Sequence, residues 1–350
     1  MPRDKKPESE TTGWVSRREL LAVASGLAAA AGASSARAFP HPVKRSRRGR
    51  TPRAPFDSIR DYVAALEAHG LLLRVPRIDQ DAYHATALFF EMTDMFSMYA
   101  SPALLFEDVK VDGRWMQGPV LANLQAHWFT ECLVWGLEPE WDSYFASYRK
   151  AKGHLRAMLE RNNGRYPEIP PVEVSRDRAP CKEVVLKGDE IDLTRFPFLQ
   201  TNPADGGRYV NTGSHFLVDP EMGGNFGTYR SQLKGPRLLG VNPEPNQTNW
   251  KMLMAARERG EKAARVAIVL GQDPVVWMIS GTRVAPRFSN QPVDELAVAG
   301  GMRGKAIEVV RAEDSDTLVP AHAEMVIEGE VPLQESMLPE GPFGEMFGYL

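Results

Sequence analysis

Glu340-Gly341-Pro342-Phe343-Gly344-Glu345, followed by Gly348-Tyr349, is the stretch on which the reading of this chain turns. Two carboxylates bracket a rigid proline and two glycines, so both acids sit on one tight loop. Such a pair can be held at different pKa values, one acid staying neutral and able to donate a proton. Glycine and proline also mark ordinary surface turns, so the loop acquires chemical meaning only from what accompanies it.

Two upstream segments accompany it: Asp219-Pro220-Glu221-Met222-Gly223-Gly224-Asn225-Phe226-Gly227-Thr228-Tyr229-Arg230 and Asp294-Glu295-Leu296-Ala297-Val298-Ala299-Gly300-Gly301-Met302-Arg303-Gly304. Asn225 and Arg230 are five positions apart. On a strand they face opposite sides, unless a bulge or bend at Gly227 re-aims them. Arg230 is a permanent cation whose fork matches a carboxylate or phosphate. The Ala/Gly-rich run after Glu295 is expected to let backbone approach a bulky ligand closely. Singly, Asn225 reads equally as a turn residue, Arg230 as a surface ion-pair partner and Glu295 as a solvated helix-start carboxylate. Jointly, an Arg, two neighbouring carboxyls and an Asn/Glu pair of oxygen ligands suit a carboxylate substrate beside a hard metal.

The rest of the chain sets the frame. At 350 residues it has room for two domains, and its 43% hydrophobic and 25% charged residues are those of a globular protein. A net charge of −3 gives no electrostatic case for nucleic acid. Cys132 and Cys181 form no CxxC pair, which argues against a zinc knuckle or disulfide framework and leaves a single Cys132–Cys181 bond after export open. Arg17 and Arg18 precede an uncharged apolar run from Leu20 to Ala33 and a small-residue Ala36-Arg37-Ala38 site. Residues 1–38 therefore read as a twin-arginine export signal, placing the protein in the periplasm or another extracytoplasmic space. The basic stretch 39–54 reads as a solvated linker.

From Phe56 the pattern is globular. Ile59, Tyr62, Val63 and Leu66 make an apolar helical face, with Asp57 or Ser58 as cap and Gly70 closing the end. Strands at Leu71–Val75 and Ala103–Phe106 and a helix over Ala82–Met95 predict an α/β domain over 55–166. Pro167-Glu168-Ile169-Pro170-Pro171 reads as a linker. Short β-prone runs at Cys181–Leu186, Gly213–Val218, Val266–Leu270, Ala306–Arg311 and Met325–Glu328, with one helix near Trp250–Arg257, predict a barrel-like β domain over 175–350.

The three segments, in order and spacing, resemble the signature of UbiD-like decarboxylases, and the resemblance runs from about Phe56 to the last residue. It implies an α+β chain: an N-terminal α/β domain, then a flavin-reductase-like split β-barrel that binds prenylated FMN. The cofactor contacts implied are Asn225, Gly227, Thr228, Tyr229, Arg230 and Glu295. Asn225 and Glu295 would hold a divalent metal, Mn²⁺ or Mg²⁺, with K⁺ as a further ion. Arg230 would lie by the substrate carboxylate, Glu340 would be the proton donor, and Glu345 would complete a Glu–Arg–Glu network. The reaction implied is reversible, non-oxidative decarboxylation of an aromatic or α,β-unsaturated acid, with a flavin prenyltransferase as cofactor supplier. The prenylated flavin would provide the electron sink that an sp² carbanion requires.

Two departures shape the expectation. The family's third metal ligand is a His about eighteen residues after the Arg; here that position is Thr248, and no His lies between His215 and His322. Asn249 or Gln247 could offer a carbonyl oxygen instead, and His215 and His322 read as structural. The family also continues into a C-terminal α/β domain, and this sequence stops at Leu350. The expected assembly is a homo-oligomer or a pairing with a partner chain that supplies that domain. The competing functional class is a non-catalytic or partner-dependent flavin-binding subunit of a split decarboxylase.

Overall fold

A computed structural model describes residues 51–284 and 293–344. The export signal, most of the basic linker, and Glu345 with Gly348-Tyr349 lie outside the described residues.

Helix α1 (Ile59–Ala68) forms as its periodicity dictates, burying Ile59, Tyr62, Val63 and Leu66. Ser58 Oγ accepts from the Asp61 N–H at its start, and Gly70 follows in the left-handed region at φ +69°. Strand β1 (Leu72–Asp79), helix α2 (His84–Phe96) and strand β2 (Ala103–Val111) make a parallel crossover. Strand β3 (Arg114–Ala122) returns antiparallel on β2 through Asp112 and Gly113, both at positive φ. The Asp81 carboxylate accepts from both turn N–H groups at 2.8 Å. Helices α3 (Trp128–Val134) and α4 (Tyr144–Arg161), absent from the sequence reading, pack on one another after this sheet.

The second half is built on a five-stranded antiparallel sheet. Its strands are β5 (Tyr209–Asp219), β6 (Gly223–Gly235), β7 (Leu238–Leu239), β8 (Ala263–Leu270) and β11 (Met325–Pro332), in the order β11-β8-β5-β6-β7. A smaller sheet joins β4 (Val172–Glu173), β9 (Glu308–Arg311) and β10 (Leu318–Pro320). Three helices accompany them where one was expected: α5 (Thr248–Glu258), α6 (Pro274–Ser280) and α7 (Glu295–Arg303). The additional two carry their own signals, Asp273 capping Pro274 at N1, and Asp294 and Gly304 bounding α7. The strand expected at Cys181–Leu186 does not form; Pro180–Lys182 is a 3₁₀ turn. Pro180 has no N–H for a ladder, and Lys182 is drawn inward to Glu313 at 3.0 Å. Cys132 and Cys181 are free thiols.

A further expectation is corrected by packing. Ile169 N–H donates to Ala297 O at 2.8 Å, so the proline-rich stretch is docked on α7 rather than spanning a gap. Two glycines of α7, Gly300 and Gly301, serve that docking. A Cβ on Gly300 would lie 2.6 Å from Ile169 O, and one on Gly301 would overlap the Pro167 carbonyl. One apolar cluster then joins Ile59, Tyr62 and Leu66 of α1 to Val269 of β8, Val276 and Ile279 of α6 and Val298 of α7.

Gly301→Ala is expected to lower the unfolding free energy by about 1–3 kcal/mol through overpacking. Gly153→Ala, on α4 with nothing within 4 Å of the added Cβ, is expected to raise it by about 0.5–1 kcal/mol. Equilibrium denaturation of both variants checks the pair; equal effects would refute the docking account.

Candidate active site

Strand β6 carries the central residues. Its turn from β5 is held by Asp219, whose Oδ1 accepts from the Glu221 and Met222 N–H groups at 2.9 Å. The ladder from Asn225 to Tyr229 is regular; the irregularity lies in β5, between Val210 and Gly213. The bend considered at Gly227 is therefore absent. Alternation stands, with Asn225, Gly227 and Tyr229 on one face and Thr228 and Arg230 on the other. The contacts agree. Asn225 Nδ2 donates to Asn249 Oδ1 of α5 at 2.6 Å, and the Tyr229 ring meets His215 edge-on at 5.2 Å. Thr228 shares a hydrogen bond with Ser280 of α6. Gly227 is small because its neighbour is large: a Cβ there would lie 2.5 Å from the Tyr229 hydroxyl. Burial pushes that phenol up to about 12.

Beyond the turn, among the described residues β6 has a paired strand on its second side only where β7 meets Leu233 and Gly235. The Phe226 N–H points to that side and donates to Glu295 Oε2 at 3.1 Å. By the same alternation the main-chain groups of Thr228 and Arg230 point the same way. Glu295 stands in the first turn of α7, with Asp294 capping the helix. Enclosure of its carboxyl, with Asp294 adding repulsion, pushes it up to about 7 while the Phe226 N–H pulls the other way. Asn249 is 1% exposed and donates to His215 O at 2.9 Å. Asn225 and Asn249 are thus joined side by side on the α5 face, and Glu295 binds the main chain one residue on from Asn225. His215 is held neutral, pushed down to about 3 by burial, with Nε2 at 3.2 Å from Ser231 Oγ.

Arg230 and Glu340 meet as a two-point pair, Nε to Oε1 and Nη2 to Oε2, both 3.2 Å. Asn242 Nδ2 donates to Glu340 Oε2 at 3.0 Å, and the Arg230 guanidinium lies 4.9 Å from the Phe343 ring centre. The loop that carries Glu340 is fastened through its main chain. Lys234 donates to Pro339 O, and Gly341 N–H donates to Gln232 Oε1. Pro342 O accepts from Gly206 N–H at 2.7 Å and from the Tyr209 hydroxyl at 3.1 Å. Gly344 N–H donates to Asp205 Oδ1 at 2.6 Å, while Asp205 Oδ2 accepts from the Thr201 and Asn202 N–H groups. Gly341 sits at φ +98°, a conformation that requires glycine.

The geometry thus brings Arg230 to Glu340 and Glu295 to the strand beside Asn225. Glu345 lies outside the described residues. Thr248 opens α5 in place of the expected His; Gln247 Oε1 accepts from the Glu244 N–H at 2.5 Å and Asn249 Oδ1 from Asn225 Nδ2 at 2.6 Å, so of the two amides Asn249 is the one beside Asn225. His322 pairs with Glu308 at 2.8 Å, a structural role as expected. Sequence reading missed Asp205, Gln232, Lys234 and Asn242. Asp205 lies in an ordinary Asn-Pro-Ala-Asp turn, and nothing local marks it as an anchor for a loop 139 positions away. Among the described residues no three His, Cys, Asp or Glu side chains gather. Asn225, Asn249 and Glu295 supply hard oxygen donors instead, which suits Mg²⁺ or Mn²⁺, and a cation beside Glu295 would relieve the burial of its charge.

The profile of the 3-octaprenyl-4-hydroxybenzoate carboxy-lyase Rift-related domain, UbiD, matches residues 172–350, and the chain belongs to this family. It is 29% identical over 314 residues to an uncharacterized protein of Synechocystis sp., covering 83% of this chain and 57% of that one. Its fold is similar to the vanillic acid decarboxylase ShVdcCD of Sedimentibacter hydroxybenzoicus, solved in open form (TM-score 0.68, 27% identity, 83% of this chain, 57% of that). It is similar as well to HmfF of Pelotomaculum thermopropionicum, solved in complex with prFMN (TM-score 0.67, 27% identity, 84% of this chain, 61% of that). The chain spans a little under three fifths of the length of the first two.

Glu295 yields a signed pH test. Its folded pKa of about 7 stands above the ordinary 4.5, so the folded state holds the extra proton. Stability of metal-free protein should therefore be greatest below about pH 4.5 for this group and fall as pH rises through 7, by on the order of 3 kcal/mol. Denaturation in chelator across this range should show that slope in the native protein and lose it in Glu295→Gln. A slope shared by both proteins would place its origin elsewhere.

Proposed function

We propose that this chain carries out reversible, non-oxidative decarboxylation of an aromatic or α,β-unsaturated acid with prenylated FMN. The carrying observation is the Arg230–Glu340 pair on its fastened loop, within a UbiD-family chain similar to a prFMN-bound structure. In this reading the five-stranded sheet belongs to a flavin-reductase-like split β-barrel over 175–350, preceded by an α/β domain over 55–166.

The β6 main chain from Phe226 to Arg230 and the side chains of Asn225, Asn249 and Glu295 would hold the cofactor and its Mn²⁺ or Mg²⁺, with K⁺ as a further ion. Prenylated FMN, when bound, supplies the electron sink for the charge left as CO₂ departs. Arg230 uses two of its donors on Glu340 and orients the substrate carboxylate from the same guanidinium. Phe343 beneath it and Asn242 beside Glu340 restrict both side chains, so little ordering remains when substrate arrives. Glu340 delivers a proton to the carbon that loses CO₂ and recovers it in the reverse direction. Glu345 completes the acid network. A flavin prenyltransferase supplies the cofactor, and export by residues 1–38 follows its loading.

The second reading, a partner-dependent flavin-binding subunit, is favoured by Thr248 and the amide donors standing where the family has a His. It is compatible with the two-chain naming of the ShVdcCD relative.

Native mass spectrometry and absorbance of protein co-expressed with a flavin prenyltransferase should show one prenylated FMN and a divalent metal. Glu340→Gln should keep both and lose turnover by about 10²-fold or more. Loaded native protein that turns over no aromatic or unsaturated acid, alone or with a partner chain, would favour the subunit reading; empty protein would sink both.

A further inference from the structure

Helix α4 leaves one whole side to solvent. Among its eighteen residues only Ser147 and Ala151 are fully buried. On the opposite side Phe145, Tyr148, Arg149, Lys152 and Arg156 follow at i, i+3, i+4, i+7 and i+11, all exposed. Phe145 is 48% exposed and Tyr148 37%. They are the edge of a continuous aromatic surface, because Trp128 of α3 stacks on Tyr148 at 4.4 Å and meets Phe145 edge-on at 5.0 Å. Tyr99 is a further contact of Trp128, its ring centre 4.3 Å away, and is 40% exposed, as is its neighbour Met98.

The charge on this helix is one-sided. It holds five Lys and Arg against one acid, Glu160, in a protein whose net charge is −3. Among the described residues the ion pair that α4 makes is Lys150 to Glu140, on its flank; Arg149, Lys152 and Arg156 point outward without one. No helix among the described residues is long and apolar enough to cross a membrane, so any lipid contact of this face is peripheral.

We propose that the outer face of α4, with Trp128, Tyr99 and Met98, docks the protein on an anionic phospholipid bilayer. The chemistry is complementary on both counts. Phenylalanine and methionine carry no hydrogen-bonding group that a polyanion would read, yet they enter the acyl boundary readily. Tyr and Trp, apolar with a polar rim, suit the headgroup level. The three cations on the same face meet anionic headgroups at the depth where their stems lie along the surface.

The test uses the full chain with vesicles of phosphatidylcholine, alone or mixed with phosphatidylglycerol, in a sedimentation assay. Binding is expected to the mixed vesicles only and to weaken with salt. Brominated lipids should quench tryptophan fluorescence in the native chain and less so in Trp128→Phe. The triple variant Arg149→Glu, Lys152→Glu, Arg156→Glu should weaken partition by at least tenfold with unchanged circular dichroism. Phe145→Ser should weaken it severalfold without altering charge. Three outcomes overturn the proposal: no vesicle binding by the native chain, equal binding by the triple variant, which would hand lipid contact to the basic N-terminal residues, or retention on DNA without vesicle binding, which would assign the face to nucleic acid.

Discussion

A strand with one paired side governs this site. β6 is thirteen residues long and pairs with β5 from Gly223 to Gln232, while among the described residues β7 meets its other side only near the end. Main-chain N–H and C=O groups on such an edge must find partners that are not strands. Glu295 provides one for Phe226, and α6 and α7 are placed where they can reach the strand. Among the described residues this edge is completed by helix termini and side chains instead of by a further strand, which leaves main-chain groups of β6 turned toward α7. The carboxylate that serves the edge is itself enclosed, so its charge is unfavourable until a cation or proton joins it.

The second constraint is the fastening of the Glu340 loop. Arg230 and Glu340 are 30% and 14% exposed, joined at two points and lodged against Phe343 and Asn242. That differs in kind from a pair such as Arg60–Glu324, where the Arg is 81% exposed and the contribution is about 0–1 kcal/mol. Two-point geometry with partial enclosure restricts the orientation of both side chains more than it adds to net stability. The restriction is inherited from the main-chain anchors at Pro339, Gly341, Pro342 and Gly344, and so from Asp205, Gln232 and Lys234. Arg208, 8% exposed on its side chain, ties the same support to Asp112 in the β2–β3 turn. The N-terminal sheet is therefore tied to the support of the loop.

The elements best legible in the sequence were those with a complete local signal. α1 had periodicity, a serine cap and a closing glycine; β5, β8 and β11 had β-branched runs between turn residues. The caps of α6 and α7 were equally present, but their short apolar and Ala/Gly-rich interiors carry too little periodicity to be counted as helices. Cys181–Leu186 was β-prone in composition and lacked a free N–H at Pro180 and a neighbour to pair with.

Sequence alone determined which chemistries are on offer: an Arg, an acid on a tight Gly-Pro loop, an Asn and a Glu ahead of an Ala/Gly-rich run, in family order. Tertiary structure decided which of them meet. Alternation along β6 sends Asn225 to α5 and Arg230 to Glu340, and docking of Pro167–Pro171 explains glycines that looked reserved for a ligand. Asp205 acquires its role only when two distant loops close on one carboxylate. Residue types and periods are properties of the chain read in order, whereas contacts between distant segments exist only after the core has brought them together.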